Sequence, residues 1–353
     1  MPRRLRFRAM ARIGVLTGGG DCPGLNAVIR AIVRKGINHH GHELVGFRNG
    51  WAGVLSGEAM ELSHETTRGI LHRGGTILGT SRTNPYKEDG GLERITASLQ
   101  RHAIDALIPI GGEDTLGVAR RLSDDGVDVV GVPKTIDNDL AGTDFTFGFQ
   151  TAVQVATDAI DRLHTTAESH NRVIVVEVMG RHAGWIAAYA GIAGGADVVL
   201  VPERPFDIDE ICERLRRRQA MGRTFSIVVV AEGATPKDGG AWTEHGGDTD
   251  AFGHVRLGGI AVHLEKEIEQ RTGFECRMTI LGHVQRGGTP LAYDRVLGTR
   301  FGVAAVDAVS EGRFGQMVAL RGTEIELVAL DVALAEPKLL DPRLFETAEV
   351  FFG

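Results

Sequence analysis

The stretch DALIPIGGEDTLGVARRLSDDGVDVVGVPKTIDND, residues 105–139, decides the fold. Residues 105–110 form an apolar, β-prone run ending on two glycines, 115–122 carry apolar side chains at helical spacing, and 127–132 form a second apolar run ending on a proline. Strand, helix, strand in that order specifies a parallel sheet covered by helices on both faces. Outward from this unit the pattern repeats. Residues 12–16 read as a strand and 26–37 as a helix. Beyond it, 150–167 read as a helix, 172–178 as a strand, 185–192 as a helix and 198–201 as a strand. Residues 207–219 read as a helix capped by Asp207, and 224–231 as a fully buried strand. The expected fold class is α/β, with two doubly wound, mainly parallel lobes. The Gly-rich, polar residues 233–247 read as a surface loop of the second lobe.

Bulk properties narrow the function classes. At 353 residues, 42% apolar and 24% charged, the chain is large enough for two cores. Its 39 basic against 46 acidic residues give a net charge of -7, which argues against non-specific nucleic-acid binding. Cys22, Cys212 and Cys276 are widely separated and odd in number, so they outline neither a disulfide framework nor a zinc site, and reduced cytoplasmic thiols are the simplest expectation. No apolar run approaches bilayer length, and no membrane span is expected. Residues 1–10 are basic without the apolar core of a secretory signal and read as a disordered extension. The 48 glycines cluster in motifs, where they mark tight turns and close backbone approach.

Every unusual motif follows a strand-like run, where open parallel sheets bind ligands. The turn from Thr17 to Gly24 leads into a helix, so its glycines can point backbone N–H groups at a phosphate or simply close a strand-to-helix turn. It is neither a Walker loop nor a dinucleotide fingerprint. Gly111-Gly112-Glu113-Asp114-Thr115 adds carboxylates to the same kind of turn. They suit a magnesium ion bound through a few carboxylates, phosphate oxygens and water, or a helix start that favours acidic side chains. Pro133-Lys134-Thr135-Ile136-Asp137-Asn138-Asp139 holds a cation, a hydroxyl and carboxylates within seven residues. That mixture suits phosphoryl transfer, with Asp137 accepting a proton from an attacking hydroxyl and Lys134 neutralising the migrating group. Arg82, Arg172, Arg181, Arg277 and Arg286 offer guanidinium forks that match phosphate oxygens.

From about residue 13 to 313 these motifs resemble the phosphofructokinase family. The resemblance is carried by the residues 19–26, by Arg73-Gly74-Gly75-Thr76 with Arg82, by the two motifs after residues 110 and 132, by 175–181 and by 281–288. It implies a cleft between the lobes that joins a phosphoryl-donor site to a fructose 6-phosphate site. The donor lobe is expected to span 11–148 with about 284–335, and the sugar lobe 149–283 with about 336–353. By the same resemblance Asp137 is the base for the sugar 1-hydroxyl, with Thr135 beside the migrating group, and Arg82, Arg181 and Lys134 complete the catalytic set. Gly19, Gly20, Gly112, Asp114, Thr115 and Lys134 belong to the donor site. Thr135, Ile136, Asp137, Met179, Gly180, Arg181, Glu232, His283, Val284, Gln285 and Arg286 belong to the sugar site. Arg172 and Arg277 match arginines that reach a neighbouring subunit's site, so a homodimer or homotetramer is implied. Glu113, with Asp139 as a second candidate, matches the Mg2+ position; the family's usual residue at 113 is aspartate.

Two side chains bear on the donor. ATP-using relatives of the common bacterial type have glycine where this chain has Asp114 and Lys134. A carboxylate at 114 would occupy the space of a nucleotide α-phosphate and repel it, and a cation at 134 suits a small donor, so pyrophosphate is the preferred donor. ATP is the nearest rival. A non-catalytic sugar-phosphate-binding protein is the alternative of a different class, disfavoured by the intact Asp137, Arg82 and Arg181. A nicotinamide oxidoreductase lacks its glycine fingerprint. The residues 233–258 form a longer insertion than compact bacterial relatives have.

Overall fold

The computed structural model describes residues 10–239 and 259–352. Residues 1–9 of the extension read at 1–10 and the part of the 233–258 insertion from 240 to 258 lie outside the described residues. In chain order the strands are β1 (Arg12–Thr17), β2 (Glu43–Phe47), β3 (Ala59–Leu62), β4 (Ala106–Gly111), β5 (Val130–Pro133), β6 (Val173–Val178), β7 (Val198–Leu200), β8 (Ser226–Ala231), β9 (Cys276–Ile280), β10 (Gln316–Arg321) and β11 (Glu324–Ala329). The helices are α1 (Leu25–Lys35), α2 (Trp51–Ser56), α3 (Gly91–Arg101), α4 (Glu113–Asp124), α5 (Phe149–His170), α6 (Trp185–Ala193), α7 (Ile208–Ala220), α8 (Ile260–Thr272), α9 (Ala292–Ser310), α10 (Leu330–Ala333) and α11 (Pro342–Glu349).

The strands form two sheets, ordered β11-β10-β5-β4-β1-β2-β3 and β7-β8-β6-β9. The smaller is parallel throughout, and the larger is parallel except where β3 and β11 pair antiparallel at its two edges. The two-residue period of a strand divides their side chains between separate cores. On β6, Ile174, Val176 and Val178 enter an inner core, while Val173 and Val175 enter an outer one. On β4, Ala106, Ile108 and Ile110 face the same inner core, and Leu107 faces a second outer one. The two sheets therefore share the inner core, which α1, α5, α6 and α9 also fill. Strands buried on both faces read as nearly continuous apolar runs, which is why 172–178 and 224–231 were legible despite Glu177 and Ser226.

Several boundaries differ from the sequence expectation. The helix expected to begin at Thr115 begins at Glu113, so Glu113 and Asp114 sit in its first turn, where the helix dipole favours them. The strand expected at 127–132 starts at Val130. The helix expected at 26–37 ends at Lys35 and continues as a π-type turn, Gly36–His40. Asp207 caps α7 as expected, its side chain accepting from Asp209 N at 2.9 Å. All three cysteines are buried free thiols, and among the described residues no helix is long and apolar enough to cross a membrane.

Helices α1 and α9 pack closely because α9 carries glycines at the contact. A Cβ on Gly302 would lie 2.6 Å from Val28 O and 2.8 Å from the Ala31 Cβ. Gly302→Val should therefore cost about 1–3 kcal/mol in urea unfolding by forcing the helices apart. A loss below about 0.5 kcal/mol, the range of a neutral surface change, would mean that this contact is not tight.

Candidate active site

The carboxyl ends of strands from both sheets open onto one cavity of about 520 Å³. One wall comes from the larger sheet. It holds Gly19 and Gly20 after β1, Gly112, Glu113, Asp114 and Thr115 after β4, Lys134, Thr135, Asp137 and Asp139 after β5, and Arg82. The facing wall holds Met179, Arg181 and His182 after β6, Glu232 after β8, and His283 and Arg286 after β9.

Close approach of loops builds the first wall. Thr115 is wedged between Gly18 and Gly111, and a Cβ at either glycine would overlap its side chain. Thr17 Oγ1 donates to Gly79 O at 2.7 Å, and Gly19 N donates to Ser81 O at 3.1 Å, so the loop leading to Arg82 is tied to the end of β1. Buried Asn26 holds the same loop from below: its Nδ2 donates to Arg73 O at 3.1 Å and Gly74 O at 3.2 Å, and its Oδ1 accepts from Ile77 N at 2.9 Å. Lys134 is buried, and its Nζ donates to Gly20 O, bridging the loops after β5 and β1. Burial lowers its pKa to about 8.

Asp137 projects from a loop whose geometry Asn138 sets. Asn138 adopts φ 54°, a left-handed conformation that asparagine tolerates better than most residues. Its Oδ1 accepts from Thr146 N at 3.1 Å, while Thr146 Oγ1 donates to Thr135 O at 2.7 Å. Thr135 Oγ1 in turn accepts from Asp137 N at 3.0 Å. Asp137 Oδ1 is shielded from solvent and has no hydrogen-bond partner among the described residues. Burial, then the neighbouring Asp139 carboxylate, pushes the Asp137 pKa up to about 7.

On the facing wall Gly233 lies against the Arg181 backbone, where a Cβ would overlap, and Glu232 N donates to Val178 O at 2.9 Å. Burial also raises the Glu232 pKa. Arg286 crosses the cleft, its Nη1 donating to Asp21 O at 3.3 Å.

The remaining expected site residues stand outside this lining. Ile136 is buried beneath its loop and Val284 is exposed. Gln285 is fully buried; its Oε1 accepts from Met179 N at 3.2 Å, so it supports the wall from behind. Gly180 turns the chain at φ 141°. Arg172 directly precedes β6 and Arg277 lies on the edge strand β9, each paired with Glu275, at 2.6 and 2.7 Å. His182 lines the cavity and was not singled out from the sequence, where nothing marked it except its place after Arg181.

Cations and carboxylates interleave on both walls around a buried carboxylate with a raised pKa, a set that suits the class of phosphotransferases. The comparisons give the family: residues 12–309 match the phosphofructokinase family, and the chain belongs to it. It is 65% identical over 343 residues to a pyrophosphate–fructose 6-phosphate 1-phosphotransferase of Amycolatopsis methanolica, covering 97% of this chain and all of that one. It is 57% identical over 338 residues to an ATP-dependent 6-phosphofructokinase of Streptomyces coelicolor, covering 96% and 99%. Among solved structures it resembles phosphofructokinase from Saccharomyces cerevisiae, with a TM-score of 0.81 and 34% identity over 97% of this chain. This chain spans 47% of the yeast one.

Asn138→Ala should lower kcat at least about tenfold by releasing the loop that aims Asp137. It should also cost about 1–2 kcal/mol through lost hydrogen bonds and left-handed strain. Asn138→Gly suits the backbone but lacks the hydrogen bonds, so it should regain part of the stability and little of the rate. Steady-state kinetics and urea melts of both variants check this.

Proposed function

We propose that the chain transfers a phosphoryl group from pyrophosphate to the 1-hydroxyl of fructose 6-phosphate, giving fructose 1,6-bisphosphate and phosphate, reversibly. Asp137 takes the hydroxyl proton as the sugar oxygen bonds to phosphorus and the bridging P–O bond breaks. Lys134, Arg82 and Arg181 offset charge on the migrating group, and Thr135 stands beside it. Met179, Glu232, His283 and Arg286 orient the sugar phosphate, with Gly180, Val284 and Gln285 shaping that wall. The lobes would divide at 11–148 with about 284–335 and 149–283 with about 336–353. Arg172 and Arg277 of a neighbouring copy would meet the sugar phosphate in a homodimer or homotetramer. The setting is the cytoplasm, at a step shared by glycolysis and gluconeogenesis.

The cavity's donor set fits magnesium, which takes a few carboxylates and completes its shell with phosphate oxygens and water. Glu113 and Asp139 both line the cavity and would hold it. Among the described residues no three or more His, Cys, Asp or Glu form a group that could hold a metal ion. When bound it supplies charge neutralisation on the donor's phosphate oxygens.

The observation that carries the donor is Asp114, a carboxylate in the first turn of α4 on the cavity wall. Its charge would oppose the α-phosphate of a nucleotide, a group that pyrophosphate lacks. The relative with a pyrophosphate name at 65% identity supports this reading, and the ATP-named relative at 57% keeps ATP as the second one. Fructose 1,6-bisphosphate formation should be seen with pyrophosphate and not with ATP; activity with ATP alone would reverse the assignment. A purified protein inert with both donors would favour a non-catalytic sugar-phosphate-binding protein. Asp114→Gly should raise kcat/KM for ATP at least about tenfold, and unchanged ATP use would remove Asp114 from donor selection.

The raised Asp137 pKa and the lowered Lys134 pKa predict a pH profile with two limbs. Asp137 must be ionised to accept a proton, so forward kcat/KM should rise as pH passes about 7. Lys134 loses its charge above about 8, so the rate should fall again there. A profile flat between pH of about 6 and 8 would exclude Asp137 as the titrating base.

A further inference from the structure

The C-terminal residues 337–340 run between the two walls of the cleft and are bonded to both. On the side of the Asp137 loop, Lys338 N donates to Asp139 O at 2.8 Å, and Pro337 makes a β-bridge with Leu140. The Lys338 ammonium donates to Thr143 O at 2.9 Å and Asp144 O at 2.6 Å. On the other side, Lys338 O accepts from Trp185 Nε1 at 3.1 Å, at the start of α6. Leu340 N donates to Glu203 Oε1 at 2.8 Å, and that carboxylate also accepts from Gly184 N at 3.0 Å, just beyond Arg181 and His182. The Lys338 ammonium sits 5.1 Å from the Trp185 ring and 5.8 Å from the Phe145 ring, within cation–π range of both.

One residue thus grips the loop that carries Asp137 and Asp139 and the segment that follows Arg181. We infer that Lys338 is a positioning residue: residues 337–340 set the spacing between the proton acceptor on one wall and Arg181 on the other. Lys338 touches no reacting atom. It acts through the backbone of residues 139–144: its ammonium holds the carbonyls of Thr143 and Asp144, and its backbone N–H holds that of Asp139. A displacement of the base by a fraction of an ångström lowers the rate of a proton-coupled transfer more than it lowers ground-state sugar binding.

The kinetic part of this inference rests on the proposed phosphotransfer; the structural part does not. The test compares wild type, Lys338→Met and Lys338→Arg by steady-state kinetics and by amide hydrogen exchange without ligand. Methionine keeps much of the aliphatic stem and removes the donors and the charge; arginine keeps both. Lys338→Met should exchange about tenfold faster at residues 139–146, with kcat down about 10- to 100-fold and KM for fructose 6-phosphate within about threefold. Lys338→Arg should recover most of both effects. Unchanged exchange in the methionine variant overturns the strap. Faster exchange with unchanged kcat overturns the positioning role, as does a rise in KM alone. Wild-type protein inactive with pyrophosphate and with ATP would overturn the proposed function, and the exchange comparison would still decide whether the strap exists.

Discussion

The wall that the larger sheet gives the cleft depends on Thr115 fitting between Gly18 and Gly111. Neither glycine tolerates a Cβ without overlapping that side chain, so the loops after β1 and β4 approach more closely than side chains at these positions would allow. Lys134 closes the third side by donating to Gly20 O. An ammonium held in this way is shielded from water, and the same shielding lowers its pKa to about 8. Geometry and electrostatics of this wall have one origin: three strand ends brought together with little but backbone between them.

The second constraint is the inner core. Because alternate residues of β4 and β6 point into one continuous apolar interior, the sheets are fixed to each other through α1, α5 and α9, and the two walls inherit that relation. Few direct links then need to cross the cleft itself. Arg286 to Asp21 is one. Around these links the carboxylates are desolvated: Asp137 and Glu232 both have raised pKa values, first because of burial. A carboxylate near the neutral range is a better proton acceptor for a hydroxyl at neutral pH than one at its ordinary value.

Local pattern revealed the parts of this architecture that local chemistry determines. The runs at β4, β6 and β8 were legible because strands buried on both faces are apolar nearly throughout, with Glu177 on β6 and Ser226 on β8 the buried polar exceptions. The motif ends were legible because parallel sheets place ligands there. What escaped was non-local. Strands β10 and β11 join a sheet whose other members precede residue 134, and nothing in their composition names that partner. Strand β3 pairs antiparallel at the opposite edge and is only half buried, so its apolar signal is weak. In the site, Asp137, Lys134 and Gln285 could be picked out by their motifs, but the contact by which Gln285 supports Met179 and the bonds of residues 337–340 to both walls could not. Such supports are contacts between residues about a hundred or more positions apart, and a single sequence carries no record of them.

The two side chains that bear on the donor differ in what else they do. Lys134 is buried and its ammonium is bonded to the loop after β1, so it has a part in shaping the wall whichever donor binds. A cation there serves the phosphates of pyrophosphate and of ATP alike. Asp114 lies in the first turn of α4, where the helix dipole favours a carboxylate but a neutral residue is also tolerated. The helix backbone at that position admits a charged or a neutral side chain, so a change of charge there need not alter the start of α4. A switch of donor among relatives this similar needs such a position: on the cavity wall, charged, and at a helix start that also accepts a neutral residue. Asp114 meets those conditions more fully than Lys134, so under the proposed reading the discrimination falls mainly on the carboxylate.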